Sequence, residues 1–142
     1  MKASELRIGN LIKGIYHDYD DGIDEEIENE TICKVVTLDV SGSGDYPIYV
    51  YSDENIEHFS EFKPIPLTEE WLLKFGFQEH PNDYYYFEGY KIRFDLDNDL
   101  TPIKFYFLFF DIGDWEMEIK YVHQIQNLYF ALKEEELKQI EQ

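Results

Sequence analysis

The acid-rich segment 16–30 is the part of this sequence best suited to bind a charged partner. It holds eight carboxylates and neither Lys nor Arg: Asp18, Asp20, Asp21, Asp24, Glu25, Glu26, Glu28 and Glu30. Such a segment is a cation site, an attractive surface for a basic protein, or a solvated loop between two strands. An EF-hand calcium loop fails, because placing Gly22 at its glycine position puts His17 and Tyr19 where oxygen ligands are needed. The sequence therefore predicts a solvated acidic loop, and its acids from Asp18 to Glu28 are the candidate residues for binding a partner.

A second set of carboxylates has the alternating spacing of a calcium loop. A loop that starts at Asp95 and continues through Asp97 and Asp99 has Leu100 where Gly is required and Tyr106 where Glu is required. Residues two apart in a strand share a face, so Asp95 continues a charged strand face, and the next two acids suit a turn. We therefore predict no metal ligands in this segment.

Nucleophiles and general bases are present without neighbours that would activate them. Ser41 and Ser43 lie in a Gly-rich turn, and no helix follows to form the elbow that activates a hydrolase serine. Cys33 stands in an apolar strand, where a cysteine is usually a small buried hydrophobe. His123, at the start of the last predicted helix, needs a carboxylate partner that the sequence does not place. The sequence assigns no catalytic residue, no metal and no cofactor.

Aromatic residues crowd one predicted hairpin, which holds Tyr84, Tyr85, Tyr86, Phe87 and Tyr90. Aromatic rings stack on nucleobases, and on this basis Tyr84, Tyr86 and Tyr90 are candidates for binding a nucleotide-like ligand. Single-stranded nucleic acid also needs a basic groove, which the sequence does not offer. Tyrosines are equally typical of protein interfaces. We rank packing in the core first, a protein interface second and ligand stacking third.

Composition limits the classes of partner. The chain has 142 residues, of which 44% are hydrophobic and 18% aromatic, enough for a folded core in one domain or two very small ones. Its 12 basic and 31 acidic residues give a formal net charge of −19, which argues against binding nucleic acid or an anionic membrane. A single cysteine excludes an intramolecular disulfide, and no stretch reaches the ~18 apolar residues of a membrane span. We expect a cytoplasmic protein.

Two prolines divide the chain into halves. Pro64 and Pro66 lack amide hydrogens and favour extended geometry in the residues before them, so neither a helix nor a central strand should cross this point. Residues 63–66 are therefore a predicted linker between a small β subdomain (1–62) and an α+β subdomain (67–142). A single core shared by the two halves is the alternative.

The first half is predicted to be a small β structure. Ser4 suits the N-cap of one helical turn over residues 5–7, which Gly9 ends. Runs of β-branched and aromatic residues predict strands at 10–16, 31–40 and 46–52. Short strands joined by Gly-rich turns favour an SH3-like, barrel-like sheet.

Helices are predicted at both ends of the second half. Thr68 is a good N-cap and Gly76 a good left-handed C-cap for a helix over residues 68–75. Apolar residues at helical spacing predict a C-terminal helix over about 121–132. Residues 133–137 either extend that helix or start a short second one.

Antiparallel strands are predicted between about 84 and 120. Charged and apolar residues alternate in 90–96 and in 115–121, as they do in strands with one exposed face. Phe105–Phe110 is apolar on both faces and suits a central strand that is covered on both sides, where the halves meet. The predicted fold class is α+β: a barrel-like β half followed by helix, antiparallel sheet and helix.

Three blocks carry a resemblance: MKASELRIGN (1–10), KPIPLTEEWLLKFGF (63–77) and YVHQIQNLYFAL (121–132). Through them the chain resembles a family of small proteins from gut anaerobic bacteria and their phages and mobile elements. No activity is attached to that family, so the resemblance implies a bacterial or phage setting and an accessory gene, but no site residues. Its members usually continue Thr-Gly-Glu-Glu-Leu after Leu132. Here Lys133-Glu134-Glu135-Glu136-Leu137 lacks the glycine, so the last helix is expected to run straight through.

Three functions follow as hypotheses. The first is a non-enzymatic accessory protein that binds another protein, with its acids mimicking nucleic acid on a basic surface. The alternative is a binding protein or sponge for a nucleotide-like small molecule, held between aromatic rings at the junction of the halves. The second alternative is a hydrolase that uses His123 with a carboxylate distant in sequence. None of the three requires a cofactor, direct binding of nucleic acid or a membrane.

Overall fold

Two antiparallel sheets and two α-helices make up the described part of this computed structural model, which is residues 3–20, 25–38, 48–51, 59–81, 84–87, 90–95, 104–109 and 115–140. The fold class is therefore α+β, as predicted. The chain divides into two compact units, Met1–Ile65 and Pro66–Gln142. The division falls inside the Pro-containing segment 63–66.

The first unit contains a four-stranded antiparallel sheet in the order β3-β2-β1-β4. Its strands are β1 (Leu11–Asp20), β2 (Glu25–Leu38), β3 (Ile48–Tyr51) and β4 (Glu61–Lys63). A 3₁₀ turn at Ala3–Glu5 lies two residues before the predicted helical turn. Gly9 then takes a φ of 96°, which a residue without a side chain adopts easily, and leads the chain into β1.

Alternating apolar residues of β1 and β2 build the core of this unit. Ile12 lies opposite Cys33, and both are fully buried, as is Val35; Leu6, which packs with them, is 6% exposed. Half-buried side chains surround this cluster: Leu38, Ile48, Val50, Phe59 and Phe62. Burial of each aliphatic side chain contributes about 1.5–3 kcal/mol, so these few residues account for much of the stability of so small a sheet. Cys33 is a buried hydrophobe, as its sequence neighbours predict.

The β1–β2 hairpin is longer than the sequence predicts. Instead of a loop over residues 16–30, β1 continues to Asp20 and β2 begins at Glu25. The interstrand ladder runs without a break through the acidic residues and ends with Asp20 opposite Glu25. The loop prediction is therefore wrong for the described residues of this segment. Its acid content is typical of loops, but the ladder uses backbone groups, and the tyrosines and isoleucine among the acids favour strands.

The second unit contains a five-stranded antiparallel sheet whose strands follow one another in sequence order. They are β5 (Gln78–His80), β6 (Tyr84–Phe87), β7 (Tyr90–Asp95), β8 (Lys104–Phe109) and β9 (Trp115–Ile119), and the helices are α1 (Glu69–Lys74) and α2 (Val122–Lys133). The apolar run lies largely on β8, which pairs with β7 on one side and β9 on the other. β5 is a strand that the sequence analysis does not predict.

The first helix forms where its capping residues predict it. The Thr68 hydroxyl accepts a hydrogen bond from the Trp71 amide at 3.4 Å, and Gly76 has a φ of 85° beyond the last turn. The amide of Phe77 donates to the carbonyl of Leu72 at 3.0 Å across that turn. This Schellman-type ending satisfies a carbonyl that the helix leaves without an internal partner, and glycine permits it.

The second helix ends where the sequence predicts continuation. Glu134 has φ 59° and ψ 20°, a left-handed conformation that stops the helix after Lys133. The continuous-helix expectation is wrong, and so is the prediction of helix for residues 134–137, whereas Lys133 is helical. Beyond the break, Leu137 is buried, and the Ile140 amide donates to the carbonyl of Lys74 at 2.8 Å. The chain end therefore packs on the end of α1.

One face of the second sheet packs on the helices. The Phe87 ring lies 5.2 Å from Phe77 and 5.8 Å from Tyr129 of α2, measured between ring centroids. Further buried apolar residues of this unit are Leu67, Trp71, Leu72, Phe75, Tyr85, Ile119, Val122, Ile125 and Leu137.

Neither described helix combines the length and apolar character needed to cross a membrane.

Candidate functional site

The distal part of the β1–β2 hairpin is a two-stranded ribbon of residues 16–20 and 25–29, here called the acidic ribbon. The described pairings of the outer strands lie before it: β4 pairs with β1 at 13–15, and β3 pairs with β2 between 34 and 38. The five residue pairs of the acidic ribbon extend for about 17 Å at the usual rise of a strand. Five of the predicted interaction residues therefore stand on one regular element.

Charge is concentrated on this element. Half of its ten residues are acids and none is Lys or Arg; the acids are Asp18, Asp20, Glu25, Glu26 and Glu28. The other two predicted interaction residues, Asp21 and Asp24, lie outside the described residues. At the distal end Asp20 is paired with Glu25, and like charges at opposite positions destabilise a strand pair. The acidic ribbon carries about one negative charge per 3.4 Å of its length.

Lysines stand at the base of the acidic ribbon. The Lys13 ammonium donates to the Glu30 carboxylate, and the Lys63 Nζ lies 3.2 Å from Glu61 Oε2. The pKa of Lys63 is raised above its usual value, first by the hydrogen bond and charge of Glu61 and further by the charges of Glu28 and Glu30. An ammonium group at the base therefore senses the negative charges of β2 as well as that of its neighbour on β4.

Aromatic packing and backbone hydrogen bonds fix the base. The Tyr16 ring lies edge-on to Phe59, with centroids 6.3 Å apart. The amide and hydroxyl of Ser60 both donate to the Ile15 carbonyl, at 2.8 and 3.1 Å. These contacts hold Ile15 of β1 and the first residue of the acidic ribbon against the segment that leads into β4.

The register of the tyrosine hairpin separates its candidate residues into two groups. Tyr84 and Tyr86 occupy one face of β6, whereas Tyr85 and Phe87 occupy the other, because successive strand residues alternate between faces. Tyr90 lies opposite Phe87 and so belongs to the face of Phe87. The structure thus brings Tyr84 and Tyr86 to one surface and places Tyr90 on the opposite one.

Two neighbouring tyrosines differ in chemistry for the same reason. Tyr86 is 37% exposed, its hydroxyl donates to Gln78 Oε1, and its ring lies edge-on to His80 at 6.2 Å. Tyr85 is only 2% exposed. Burial, followed by the charges of Glu69 and Glu79, raises the pKa of Tyr85 to about 12. Tyr86 is therefore accessible to a ligand, whereas Tyr85 belongs to the core.

The register also reveals basic residues that the sequence analysis does not select. Lys91 lies opposite Tyr86, and Arg93 lies opposite both Tyr84 and, on the next strand, Tyr106. Residues directly opposite one another share a face of an antiparallel sheet. The signal was present in the sequence, because the two basic residues stand at the period of a strand. Only the pairing shows which tyrosines they join.

The candidate base and nucleophiles do not form a recognisable catalytic group in the described part of the chain. His123 is 3% exposed near the start of α2, and its ring stacks on Tyr121 with centroids 5.7 Å apart and 9° between the planes. Cys33 is buried in the first unit. Ser41 and Ser43 lie outside the described residues.

Only one carboxylate of the second, calcium-loop-like set lies within the described residues. Asp95 is the last residue of β7, while Asp97 and Asp99 lie outside the described residues. Among the residues that are described, no group of three or more His, Cys, Asp or Glu side chains is arranged to hold a metal ion.

Comparisons with protein-family models, with curated proteins and with solved structures find no match for this chain. The case for function consequently depends on two surfaces of the chain itself. One is the acidic ribbon of the first unit, and the other is the Tyr84 and Tyr86 face of the second unit.

Proposed function

We propose that this protein is a non-enzymatic accessory protein that binds a basic surface of another protein through the acidic ribbon. One observation carries the proposal: the acids of residues 16–20 and 25–29 stand on a regular strand pair that contains neither Lys nor Arg. A strand pair holds its charges at fixed spacing, whereas a loop must be ordered when it binds. Preorganised charges thus lose less conformational entropy on binding a matching surface.

Charge spacing extends the proposal to mimicry of nucleic acid. Phosphates along one strand of B-DNA are separated by about 3.4 Å of axis, similar to the spacing of negative charge along the acidic ribbon when its two faces are counted together. Asp18, Asp20 and Glu25 belong to one face, and Glu26 and Glu28 to the other. A groove lined with Lys and Arg that takes in both faces would therefore find comparable charge here. The net charge of −19 supports the same partner class, because it attracts basic proteins from a distance and repels nucleic acid.

The test is a charge reversal with a matched control. The ribbon variant carries Asp20→Lys, Asp21→Lys, Glu25→Lys and Glu26→Lys. The control carries Glu5→Lys, Glu70→Lys, Glu134→Lys and Glu135→Lys, four exposed acids elsewhere, and has the same net charge. Each immobilised protein is used to capture partners from a bacterial lysate at rising salt, with and without single-stranded DNA as competitor.

The proposal expects the wild type and the control to capture the same basic protein, and the ribbon variant to lose it. Capture should weaken steeply with salt, and DNA should displace the partner. Equal capture by both variants would contradict binding through the acidic ribbon. If DNA does not displace the partner, binding through the acidic ribbon would still stand, but mimicry of nucleic acid would be contradicted.

The finer fold and the setting of the protein belong to the same proposal. We propose that the first sheet curls as in an SH3-like barrel, since β2 has a register irregularity between Val35 and Thr37, and bulges increase strand twist. Nuclear Overhauser contacts between β3 and β4 would show closure of the sheet, and their absence would contradict it.

We place the protein in the cytoplasm of a bacterium or of a phage-infected cell, in line with its single buried thiol and its sequence resemblance.

A further inference from the structure

One face of the second sheet carries two rows of residues that cross several strands. We call it the outer face and define it by Tyr84 and Tyr86. The first row runs His80, Tyr84, Arg93, Tyr106, Glu118, and the second runs Gln78, Tyr86, Lys91, Leu108, Glu116. Opposite residues have Cβ atoms about 4.5–5.5 Å apart, and the rows are separated by about 7 Å along the strands. Arg93 thus has a tyrosine position on each side.

The described side chains at both edges of the outer face are accessible. Gln78 and Tyr86 are exposed on the β5–β6 side, and Glu118 is exposed on the β9 side. Lys120 is exposed as well, and its ammonium lies 3.4 Å from Glu118. The opposite face is the one that packs on the helices, with Tyr85 buried there.

Charge on the outer face differs from that of the chain. The whole sequence has 12 basic residues against 31 acids, yet β7 has Lys91 and Arg93 at positions opposite the tyrosines. Asp95 shares their strand and face, opposite Lys104 of β8, whereas the acids Glu116 and Glu118 of the two rows stand two strands away, on β9. Two cations at positions next to tyrosines, with the one carboxylate of their strand opposite a lysine, complement a ligand that has both a flat ring and an anionic group.

We propose that the outer face binds a nucleoside phosphate, whose base stacks on the tyrosines and whose phosphate is bound by Arg93 and Lys91. This goes beyond protein binding by the acidic ribbon, since the residues lie in the other unit. It also replaces the tyrosine set expected from the sequence for a nucleotide-like ligand: Tyr106 joins Tyr84 and Tyr86, and Tyr90 drops out because it belongs to the other face.

Net charge selects a single nucleotide over a nucleic-acid strand. One phosphate group can be bound by a guanidinium and an ammonium at close range. Each further phosphate of a strand would extend past these two cations over a chain with a net charge of −19, where it is repelled. The ligand is therefore a nucleoside mono- or diphosphate.

Calorimetric titration of the full chain with ADP and UDP tests the site, with adenosine and inorganic pyrophosphate as the separate halves of the ligand. Arg93→Gln removes one cation of the proposed site. If this variant does not fold, Lys91→Gln tests the other cation instead. Lys138→Gln is the matched control, because it removes the same charge from an exposed residue beyond α2, outside the second sheet. Tyr84→Leu removes a ring, and Tyr84→Phe retains it.

The expected result is saturable binding of at least one diphosphate, with each half-ligand bound more weakly. Loss of either cation should raise the Kd by about tenfold or more, and Lys138→Gln should change it by less than about twofold. Tyr84→Leu should raise the Kd by about fivefold or more, while Tyr84→Phe should not. The proposal is overturned if neither diphosphate binds, if Lys138→Gln weakens binding as much as Arg93→Gln, or if Tyr84→Leu has no effect.

Discussion

The Phe59 ring lies where a side chain on Gly14 would have to be. A Cβ atom at position 14 would come within 2.5 Å of Cδ1 and Cε1 of Phe59 and within 2.9 Å of the Cys33 Sγ. Phe59 also packs on Phe62, with ring centroids 5.4 Å apart, and on Tyr16 at the base of the acidic ribbon. The missing side chain in the middle of β1 thus lets one ring join the core to the acidic ribbon.

Gly14→Ala should therefore destabilise the protein. Overpacking of a tight site typically lowers the free energy of unfolding by about 1–3 kcal/mol, and urea denaturation measures it. Phe59→Leu in the same chain should recover part of the loss by vacating the space, which a double-mutant cycle would show as coupling. An alanine variant as stable as the wild type would show that the ring moves aside without cost.

Glu134→Gly should stabilise the protein. A left-handed conformation costs an L-residue roughly 1–2 kcal/mol, a penalty that glycine avoids, so a gain of about 1 kcal/mol is expected after glycine's greater unfolded-state entropy is deducted. Glu135→Gly is the control, and it should give no gain because its φ is not positive. Equal effects at the two positions would contradict the structural explanation.

Tyr85 should make the protein sensitive to alkaline pH. Its pKa is about 12 in the fold against 10.0 ordinarily, so the folded state retains the phenol proton more strongly than the unfolded state. This contribution to stability is complete below about pH 10 and disappears as the pH rises towards 12. Between about pH 9 and pH 11, the urea concentration at the midpoint of unfolding should fall less for Tyr85→Phe than for the wild type. Tyr86→Phe, at an exposed tyrosine, is the control and should behave like the wild type. Parallel losses in all three proteins would contradict this assignment.

Salt should raise the melting temperature. The like-charge pair of Asp20 and Glu25 and the surplus of acids repel one another, and about 150 mM NaCl screens charges beyond about 8 Å. Asp20→Asn should raise the melting temperature at low salt and reduce its dependence on NaCl, whereas Glu135→Gln should do so less. A flat response of the wild type would mean that the acids are already neutralised by bound cations or by bases.

Local signals in the sequence predict the ends of α1 well. Thr68 and Gly76 act through the chain immediately beside them, so a capping hydroxyl and a left-handed glycine can be recognised from a few residues. The break at Glu134 could not be recognised in this way, because the sequence offers glutamate where the backbone adopts a conformation typical of glycine. The packing of Leu137 and Ile140 beyond the break depends on residues far away in sequence.

The candidate sites depended more on pairing than on composition. Side-chain chemistry in the acidic segment indicates a loop, while the ladder from Tyr16 to Asp20 is a property of the backbone and its partner strand. Likewise, the sequence shows a cluster of tyrosines, but only the register shows that they divide between two faces and that Arg93 stands opposite two of them. A shift of register by one residue would have left the ladder in place but put Arg93 opposite residues other than Tyr84 and Tyr106.

The acidic ribbon begins where β1 has already passed its last pairing with β4, at Ile15 opposite Glu61. Mutations in the acidic ribbon beyond Tyr16, whose ring packs on Phe59, consequently leave the cluster around Ile12 and Cys33 untouched. Substitutions can change the length and charge of the acidic ribbon while the sheet that supports it stays constant. If the proposed partner proteins differ between bacterial hosts, the acidic ribbon can change with them, and related sequences should vary more in the ribbon than in that sheet.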